Sequence, residues 1–193
     1  MNIVLRSYRT ADFETLHQVD HACYSSDTAY SRADLRAYLG FFGADCVVAE
    51  VEAGFDVPAA EDVAQRTPRI IGFCISARRG DHGHIITMDV LEEFRRKGVG
   101  RLLLAEIEAR LVAAGVQRVG LETAVDNEVA IAFWRRHGYV SVGIKKRYYP
   151  RGRDAYYMTK ALRSPADQSK ARSETSRETT TGAKKPAKRT RKR

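Results

Sequence analysis

One segment of the chain combines glycines and cations in a pattern that suits phosphate binding. Residues 95–100 read Arg-Arg-Lys-Gly-Val-Gly, directly after an acidic turn and directly before an amphipathic helix. The start of a helix offers unpaired N–H groups and the positive end of the helix dipole. Gly98 and Gly100 let an anion approach the backbone closely, and the neighbouring cations add attraction. The segment therefore suits a pyrophosphate group.

A glycine pair before a helix is not specific, and on its own it can be a turn with a solvated cationic face. Two features separate it from a dinucleotide-binding fold. Leu103 stands where G-x-G-x-x-G requires its third glycine, and the preceding strand lies mid-chain, after a hairpin. The lysine-serine pair of a nucleotide-binding P-loop is also missing here. Neither nucleotide-binding motif is predicted.

Hydrophobic periodicity predicts alternating strands and helices over residues 1–163. The predicted order is β-α-α-β-β-β-α-β-α-β-β, with a turn through Arg79–Gly83 and a long loop over 53–69. Such alternation predicts an α/β domain with a mixed sheet covered by helices. The predicted strands are 2–6, 46–51, 70–76, 84–90, 116–123, 139–146 and 155–160, and the predicted helices are 10–24, 31–40, 99–111 and 126–137, the last capped by Asp126.

The charge of the chain is distributed unevenly. Its 193 residues carry a net charge of +9, and after residue 163 ten basic minus three acidic residues supply +7 of it. Residues 164–193 contain no aromatic residue and cannot bury enough apolar surface to offset their ordering entropy. We expect a disordered basic tail there. It either only solubilises the domain at 1–163 or makes nonspecific contact with nucleic acid or the ribosome.

The sequence also indicates a compartment. The amino-terminal stretch has no apolar run long enough for a signal peptide, and no run of 18 apolar residues predicts a membrane span. Cys23, Cys46 and Cys74 stand singly, without a Cys-x-x-Cys pair, which fits a reducing environment. A soluble cytoplasmic protein that does not contact membranes is the expectation.

Four motifs, in order, resemble the GNAT superfamily of acetyltransferases. Arg95-x-x-Gly98-x-Gly100 matches the superfamily signature Q/R-x-x-G-x-G/A. LETAVDN at 121–127 looks like the LEVRxSN segment of RimI-type protein N-terminal acetyltransferases, and AIAFWRRHGY at 130–139 resembles their A-x-x-LY-x-x-x-GF helix. KRYYP at 146–150 with DAYYM at 154–158 looks like their closing hairpin. The resemblance spans nearly all of residues 1–163 and is weakest before residue 45.

The resemblance implies the GNAT fold, a mixed, mostly antiparallel sheet of about seven strands flanked by about four helices. It implies acetyl-CoA as cosubstrate and direct attack of a bound amine in a ternary complex, with no metal. Glu122 matches the family's general base. Tyr30, Tyr148 and Tyr149 are expected beside the acceptor, a protein N-terminus. The residues implied at the cofactor are Met88, Asp89, Val90, Arg95, Arg96, Lys97, Gly98, Val99, Gly100, Arg101 and Asn127.

The sequence departs from the family pattern in three places, one of which is the 53–69 loop, which looks longer than usual. Trp134 stands where RimI-type enzymes usually have a general-acid tyrosine, and an indole N–H does not ionise usefully. We therefore expect the thiolate to leave unprotonated, with water or a hydroxyl such as that of Tyr139 protonating it afterwards. Asp89 occupies a position where alanine is common.

Alternative interpretations stay open. Glu122 could be a surface carboxylate, and Asn127 only a helix-start residue. Asp81, His82 and His84 invite a metal interpretation, but they have no fourth ligand at suitable spacing, so a polar hairpin turn is favoured. Lysine side chains or small amines are alternative acceptors. A non-catalytic acetyl-CoA-binding module, tethered to nucleic acid by the tail, is the alternative from another functional class.

Overall fold

The computed structural model describes residues 1–51 and 69–162, and within them it has seven strands and four α-helices in the predicted order. Nearly all of the predicted 53–69 loop and the whole predicted tail at 164–193 lie outside the described residues. The strands are β1 (Ile3–Ser7), β2 (Ala44–Val51), β3 (Arg69–Arg79), β4 (His82–Val90), β5 (Arg118–Ala124), β6 (Val140–Tyr149) and β7 (Arg153–Ala161). The helices are α1 (Phe13–Cys23), α2 (Arg32–Leu39), α3 (Val99–Ala113) and α4 (Glu128–Arg136).

The seven strands form one sheet in the order β1-β2-β3-β4-β5-β7-β6. Every neighbouring pair is antiparallel except β4 and β5, which are parallel. The parallel pair has three registered positions, His82↔Arg118, Gly83↔Val119 and His84↔Gly120. Beyond His84 the two strands separate, and a gap opens between their carboxyl ends. The predicted mixed, mostly antiparallel sheet with four flanking helices is confirmed.

Apolar side chains cover both faces of the sheet. On one face, β2, β3, β4, β5 and β7 pack against α3 and α4 through a cluster that includes Leu103 and Ile107. On the other face, α1 and α2 pack against β2 and β3 through Leu16 and Leu35. Burying each such side chain stabilises the fold by about 1.5–3 kcal/mol. Since the middle of β3 is covered on both faces, residues 70–75 of this strand are all apolar and buried.

Gly120 makes room for an aromatic ring at the last β4–β5 pair. A β-carbon at this position would lie 2.7 Å from the Tyr157 hydroxyl and 2.9 Å from a carbon of its ring. An alanine would therefore displace the ring. The glycine allows Tyr157 to lie over β5, close to the position of Glu122 on the same strand.

The structure corrects the predicted starts of two helices. Asn127, and not Asp126, is the N-cap of α4, because its Oδ1 accepts from the Ala130 N–H at 3.0 Å. The helix predicted from Thr10 begins as a short 3-10 turn and becomes α-helical only at Phe13. Within the part of the chain that the structure describes, no helix combines the length and the apolar character that a membrane crossing needs.

Candidate active site

The gap between β4 and β5 presents backbone groups of β4. The Leu91 N–H donates to the Ile71 carbonyl of β3 at 3.0 Å. Because antiparallel pairing alternates, the N–H and C=O groups of Val90 and of Met88 point away from β3, into the gap. The Val90 carbonyl accepts from Arg95 Nε at 2.9 Å. The gap therefore offers strand-type hydrogen bonds to an extended molecule that lies along β4.

The loop after β4 turns tightly into α3. Arg96 and Gly98 have positive φ angles of 59° and 89°, and Gly98 is the N-cap of α3. A β-carbon at Gly98 would meet nothing within 4 Å, so the φ angle and not crowding requires glycine. The Leu102 N–H donates to the Gly98 carbonyl at 3.1 Å, which is the first hydrogen bond of the helix. The N–H groups of residues 99–101 come before it and have no acceptor within the helix. A phosphate fits this position.

The cations of this loop have different surroundings. Arg95 directs its guanidinium to the Val90 carbonyl and so fastens the loop to the end of β4. Arg96, Lys97 and Arg101 are exposed beside the start of α3. These three side chains supply positive charge where the backbone N–H groups face outward.

Glu122 lies on β5, two residues beyond the last β4–β5 pair, and has three polar partners. Lys145 Nζ lies 2.5 Å from its Oε1, and His84 Nε2 lies 2.9 Å from its Oε2. The Tyr148 hydroxyl donates to Oε2 at 3.3 Å. Burial raises the pKa of Glu122, but the hydrogen bonds and charges of His84 and Lys145 outweigh burial and lower the pKa to about 2. Glu122 is therefore held as a carboxylate, with 4% of its side chain exposed.

The three tyrosines predicted at the acceptor lie on both sides of the gap. Tyr30, in the loop between α1 and α2, donates to the Ile86 carbonyl of β4 at 3.4 Å. Tyr149 donates to the Glu122 carbonyl of β5 at 3.3 Å, and its ring packs edge-on against that of Tyr148. Burial, followed by the Glu122 charge, raises the pKa of Tyr149 to about 12. Phenol groups therefore reach both strands that border the gap.

Two arginines connect the segments that carry these tyrosines. Arg151 Nε lies 3.0 Å from the Asp27 carboxylate, and Arg153 donates to the Thr28 hydroxyl at 3.0 Å. Both contacts join the β6–β7 hairpin to the α1–α2 loop. Since 81% of the Arg151 side chain is exposed, solvent screens its ion pair with Asp27, which contributes little to stability.

Lys145 is not among the candidate site residues predicted from the sequence, and His84 enters them only through the disfavoured metal interpretation. Besides its contact with Glu122, Lys145 Nζ lies 5.3 Å from the Tyr148 ring centre and 5.1 Å from that of Tyr157. A carboxylate and two aromatic faces thus surround one ammonium group. Within residues 1–51 and 69–162, no three His, Cys, Asp or Glu side chains are grouped as metal ligands.

Residues 13–139 match the profile of the Acetyltransferase (GNAT) family. This chain belongs to the GNAT family. Over 81 residues it is 37% identical to an N-alpha-acetyltransferase of Sulfurisphaera tokodaii. These 81 residues make up 42% of this chain and 48% of that protein. Over 104 residues it is 33% identical to N-alpha-acetyltransferase 30 of Schizosaccharomyces pombe, covering 51% and 69% of the two chains. The chain thus spans about half the length of the first relative.

A solved GNAT structure has the same fold. The crystal structure of the ribosomal-protein-S18-alanine N-acetyltransferase from Escherichia coli superimposes with a TM-score of 0.70. The superposition covers 83% of this chain and 94% of that chain at 20% identity. The splayed strands β4 and β5 and the glycine loop therefore belong to a GNAT fold.

Trp134, which replaces the usual tyrosine of RimI-type GNAT enzymes, is a core residue here. Its side chain is buried, and its ring packs edge-on against Phe133 and Tyr139 at centre distances of 5.0 and 5.2 Å. The prediction that Tyr139 could protonate the thiolate is wrong. Its hydroxyl donates to Glu108 at 3.0 Å, and burial, followed by the Glu108 charge, raises its pKa far above the ordinary range.

Asp89 and Asn127, both predicted at the cofactor, have structural partners in this GNAT domain. Asp89 pairs with Phe73 in the β3–β4 register, and its buried Oδ1 accepts from the Thr87 hydroxyl at 2.8 Å. Burial, followed by the Asp20 charge, raises the pKa of Asp89 to about 7. Asn127 caps α4, as described above. A cofactor contact of either side chain stays a prediction.

Proposed function

We propose that this GNAT enzyme transfers the acetyl group of acetyl-CoA to the α-amine at the N-terminus of a peptide or protein. The observation that carries the proposal is the Lys145 ammonium on Glu122, beside Tyr148. A primary ammonium fits this site, because one from the chain itself lies there. The relatives named N-alpha-acetyltransferase support an α-amine as the acceptor.

Acetyl-CoA fits the gap and the glycine loop together. The backbone groups of Met88 and Val90 would pair with the extended pantetheine arm. The N–H groups of 99–101, with the charges of Arg96, Lys97 and Arg101, would hold the pyrophosphate. Backbone N–H groups near the end of β4 would polarise the thioester carbonyl as negative charge develops on its oxygen.

Transfer requires a neutral amine and a group that takes its proton. The amine nitrogen attacks the thioester carbonyl carbon, the C–S bond breaks, and CoA leaves as a thiolate that takes a proton from water. With a pKa of about 2, Glu122 is a weak base on its own. The His84 imidazole lies 2.9 Å from Glu122, and a neutral imidazole has a ring nitrogen that can take a proton, so we assign proton acceptance to the His84–Glu122 pair. In this assignment Glu122 orients the imidazole and stabilises its charged form.

An α-amine is the easier acceptor for such a pair. The reference pKa values are about 8 for an α-amine and about 10.4 for lysine. At pH 7 roughly a tenth of α-amines are neutral, against about one lysine in 2,500, a difference of about 3 kcal/mol. A site with one base therefore favours N-termini over lysine side chains.

The test compares acceptors of matched sequence on the purified full chain. One peptide set has a free N-terminus, a second has a blocked N-terminus and one lysine, and a third set contains polyamines. We expect kcat/KM to be at least about tenfold higher for free N-termini, and Glu122→Gln to lower it by at least about tenfold. Faster acetylation of the blocked lysine peptides would make lysine the acceptor. Tight acetyl-CoA binding without any turnover would make the domain a binding module.

For the compartment we propose the cytoplasm, where Cys23, Cys46 and Cys74 would stay reduced. From composition alone, we propose that residues 164–193 make nonspecific contact with nucleic acid or the ribosome and contribute nothing to folding or catalysis. A chain that ends at Arg163 should keep its melting temperature and turnover and lose salt-sensitive nucleic-acid binding. A drop of several degrees in melting temperature would contradict this.

A further inference from the structure

Lys145 occupies the position that the proposed function gives to the acceptor amine. Its Nζ lies 2.5 Å from Glu122, between the rings of Tyr148 and Tyr157. Tyr148 is one of the tyrosines expected beside the acceptor, and Glu122 belongs to the pair that takes the acceptor's proton. An entering N-terminal ammonium would find the same carboxylate and the same aromatic faces. Lys145 and the acceptor therefore compete for one site.

The neighbouring lysine has a different environment. Lys146 pairs with Asp154 at 2.7 Å, away from Glu122, and 73% of its side chain is exposed, against 47% for Lys145. Both lysines have one carboxylate partner and are adjacent in the sequence. They differ in that only the Lys145 amine lies at the proposed proton acceptor.

We propose that Lys145 is itself an acceptor, and that the enzyme acetylates its Nζ when acetyl-CoA is bound and no peptide occupies the site. This inference rests on the proposed function, because it uses the same gap and the same proton acceptor. Lys145 is also the last registered residue of β6 before an irregular stretch, in which Arg147 has a φ of 51°. Its flexible stem can carry the amine from Glu122 toward the thioester.

The reaction follows the course proposed for the peptide. The Lys145 ammonium gives a proton to the His84–Glu122 pair, and the neutral nitrogen attacks the thioester carbonyl carbon. The C–S bond breaks, an amide forms at Nζ, and the thiolate of CoA takes up a proton. Because the Lys145 ammonium must leave its contacts with the Glu122 carboxylate and the two rings before it reacts, the reaction is slow. It ends at one acetyl group per chain at this residue.

The experiment incubates the full chain with acetyl-CoA and no peptide and follows each lysine by peptide mass mapping. We expect Lys145 to be acetylated at least tenfold faster than Lys146. The Lys146 rate measures the background of direct chemical acetylation by acetyl-CoA. The first-order rate should not depend on enzyme concentration, because the reaction is intramolecular. Glu122→Gln should lower the Lys145 rate to that of Lys146, and Lys146→Arg should leave it unchanged. An acceptor peptide should protect Lys145, with half-protection near its KM.

The outcomes separate this inference from the proposed function. Equal labelling of the two lysines, or labelling of Lys145 that Glu122→Gln does not slow, overturns the inference even where peptides are acetylated. A rate that rises in proportion to enzyme concentration also overturns it, because the donor would then be a second molecule. Selective, Glu122-dependent labelling of Lys145 without acetylation of any N-terminal peptide would support the inference and refute the α-amine acceptor.

Discussion

The carboxylate of Glu122 and the imidazole of His84 lie 2.9 Å apart across the point where β4 and β5 separate. His84 belongs to the last registered pair of the two strands, and Glu122 lies two residues further along β5. The contact therefore bridges the closed end of the gap. It places an imidazole, 40% of whose side chain is exposed, beside a carboxylate of very low pKa.

The first prediction concerns the imidazole. His84→Gln can still donate a hydrogen bond to Glu122 but cannot take a proton, so we expect kcat to fall by about 10- to 100-fold. His82→Gln is the matched control. His82 lies in the same hairpin, and its ion pair is with the exposed Asp81 and not with Glu122. An unchanged kcat in His84→Gln would remove the imidazole from the proton path.

The second prediction concerns acid stability. The folded-state pKa of Glu122 is about 2, below its ordinary value of 4.5, so ionised Glu122 stabilises the fold above about pH 4.5. That contribution, at most about 3 kcal/mol, is lost as the pH falls from 4.5 toward 2. Urea unfolding at several pH values should show wild type and Glu122→Gln converging over this window. A difference that stays constant down to pH 2 would contradict the lowered pKa.

The third prediction separates backbone strain from cofactor binding. Gly98 and Gly115 both have positive φ, 89° and 83°, and a β-carbon at either would meet nothing within 4 Å. Alanine at each position should therefore cost a similar stability, about 1–2 kcal/mol. Only Gly98→Ala should weaken acetyl-CoA binding in calorimetry, because Gly115 follows the far end of α3. Equal affinities in the two variants would remove the loop from the cofactor site.

The fourth prediction concerns the missing general acid. Trp134→Phe removes part of a buried ring and should destabilise the domain by about 1–3 kcal/mol. Since a thiolate leaves without protonation, kcat should stay within about threefold of wild type. Trp134→Tyr should behave similarly in steady-state kinetics. A thousandfold gain from near zero would instead favour the non-catalytic binding module.

The sequence predicts where the glycine loop, the end of β4 and the two hairpin tyrosines lie in the fold, because these features depend on short-range motifs, and their roles stay predictions. Lys145 could not be predicted in the same way. Its contact with Glu122 depends on the register of β6 on β7, and that register shifts between Ser141 and Gly143. The cap of α4 was missed for a local reason. Asp126 and Asn127 are both good capping residues, and periodicity cannot choose between neighbours.

The three-position contact between β4 and β5 divides the sheet into two antiparallel parts, β1–β4 and β5–β7–β6, which meet along a short seam. A cosubstrate that bonds along the open part of β4 would act as a further strand between them. In amide hydrogen exchange, the N–H groups of Met88 and Val90 should exchange readily in the free protein and become protected when acetyl-CoA binds. Bound acetyl-CoA would then couple the two parts of the sheet mechanically. We expect their thermal unfolding to become more cooperative in its presence.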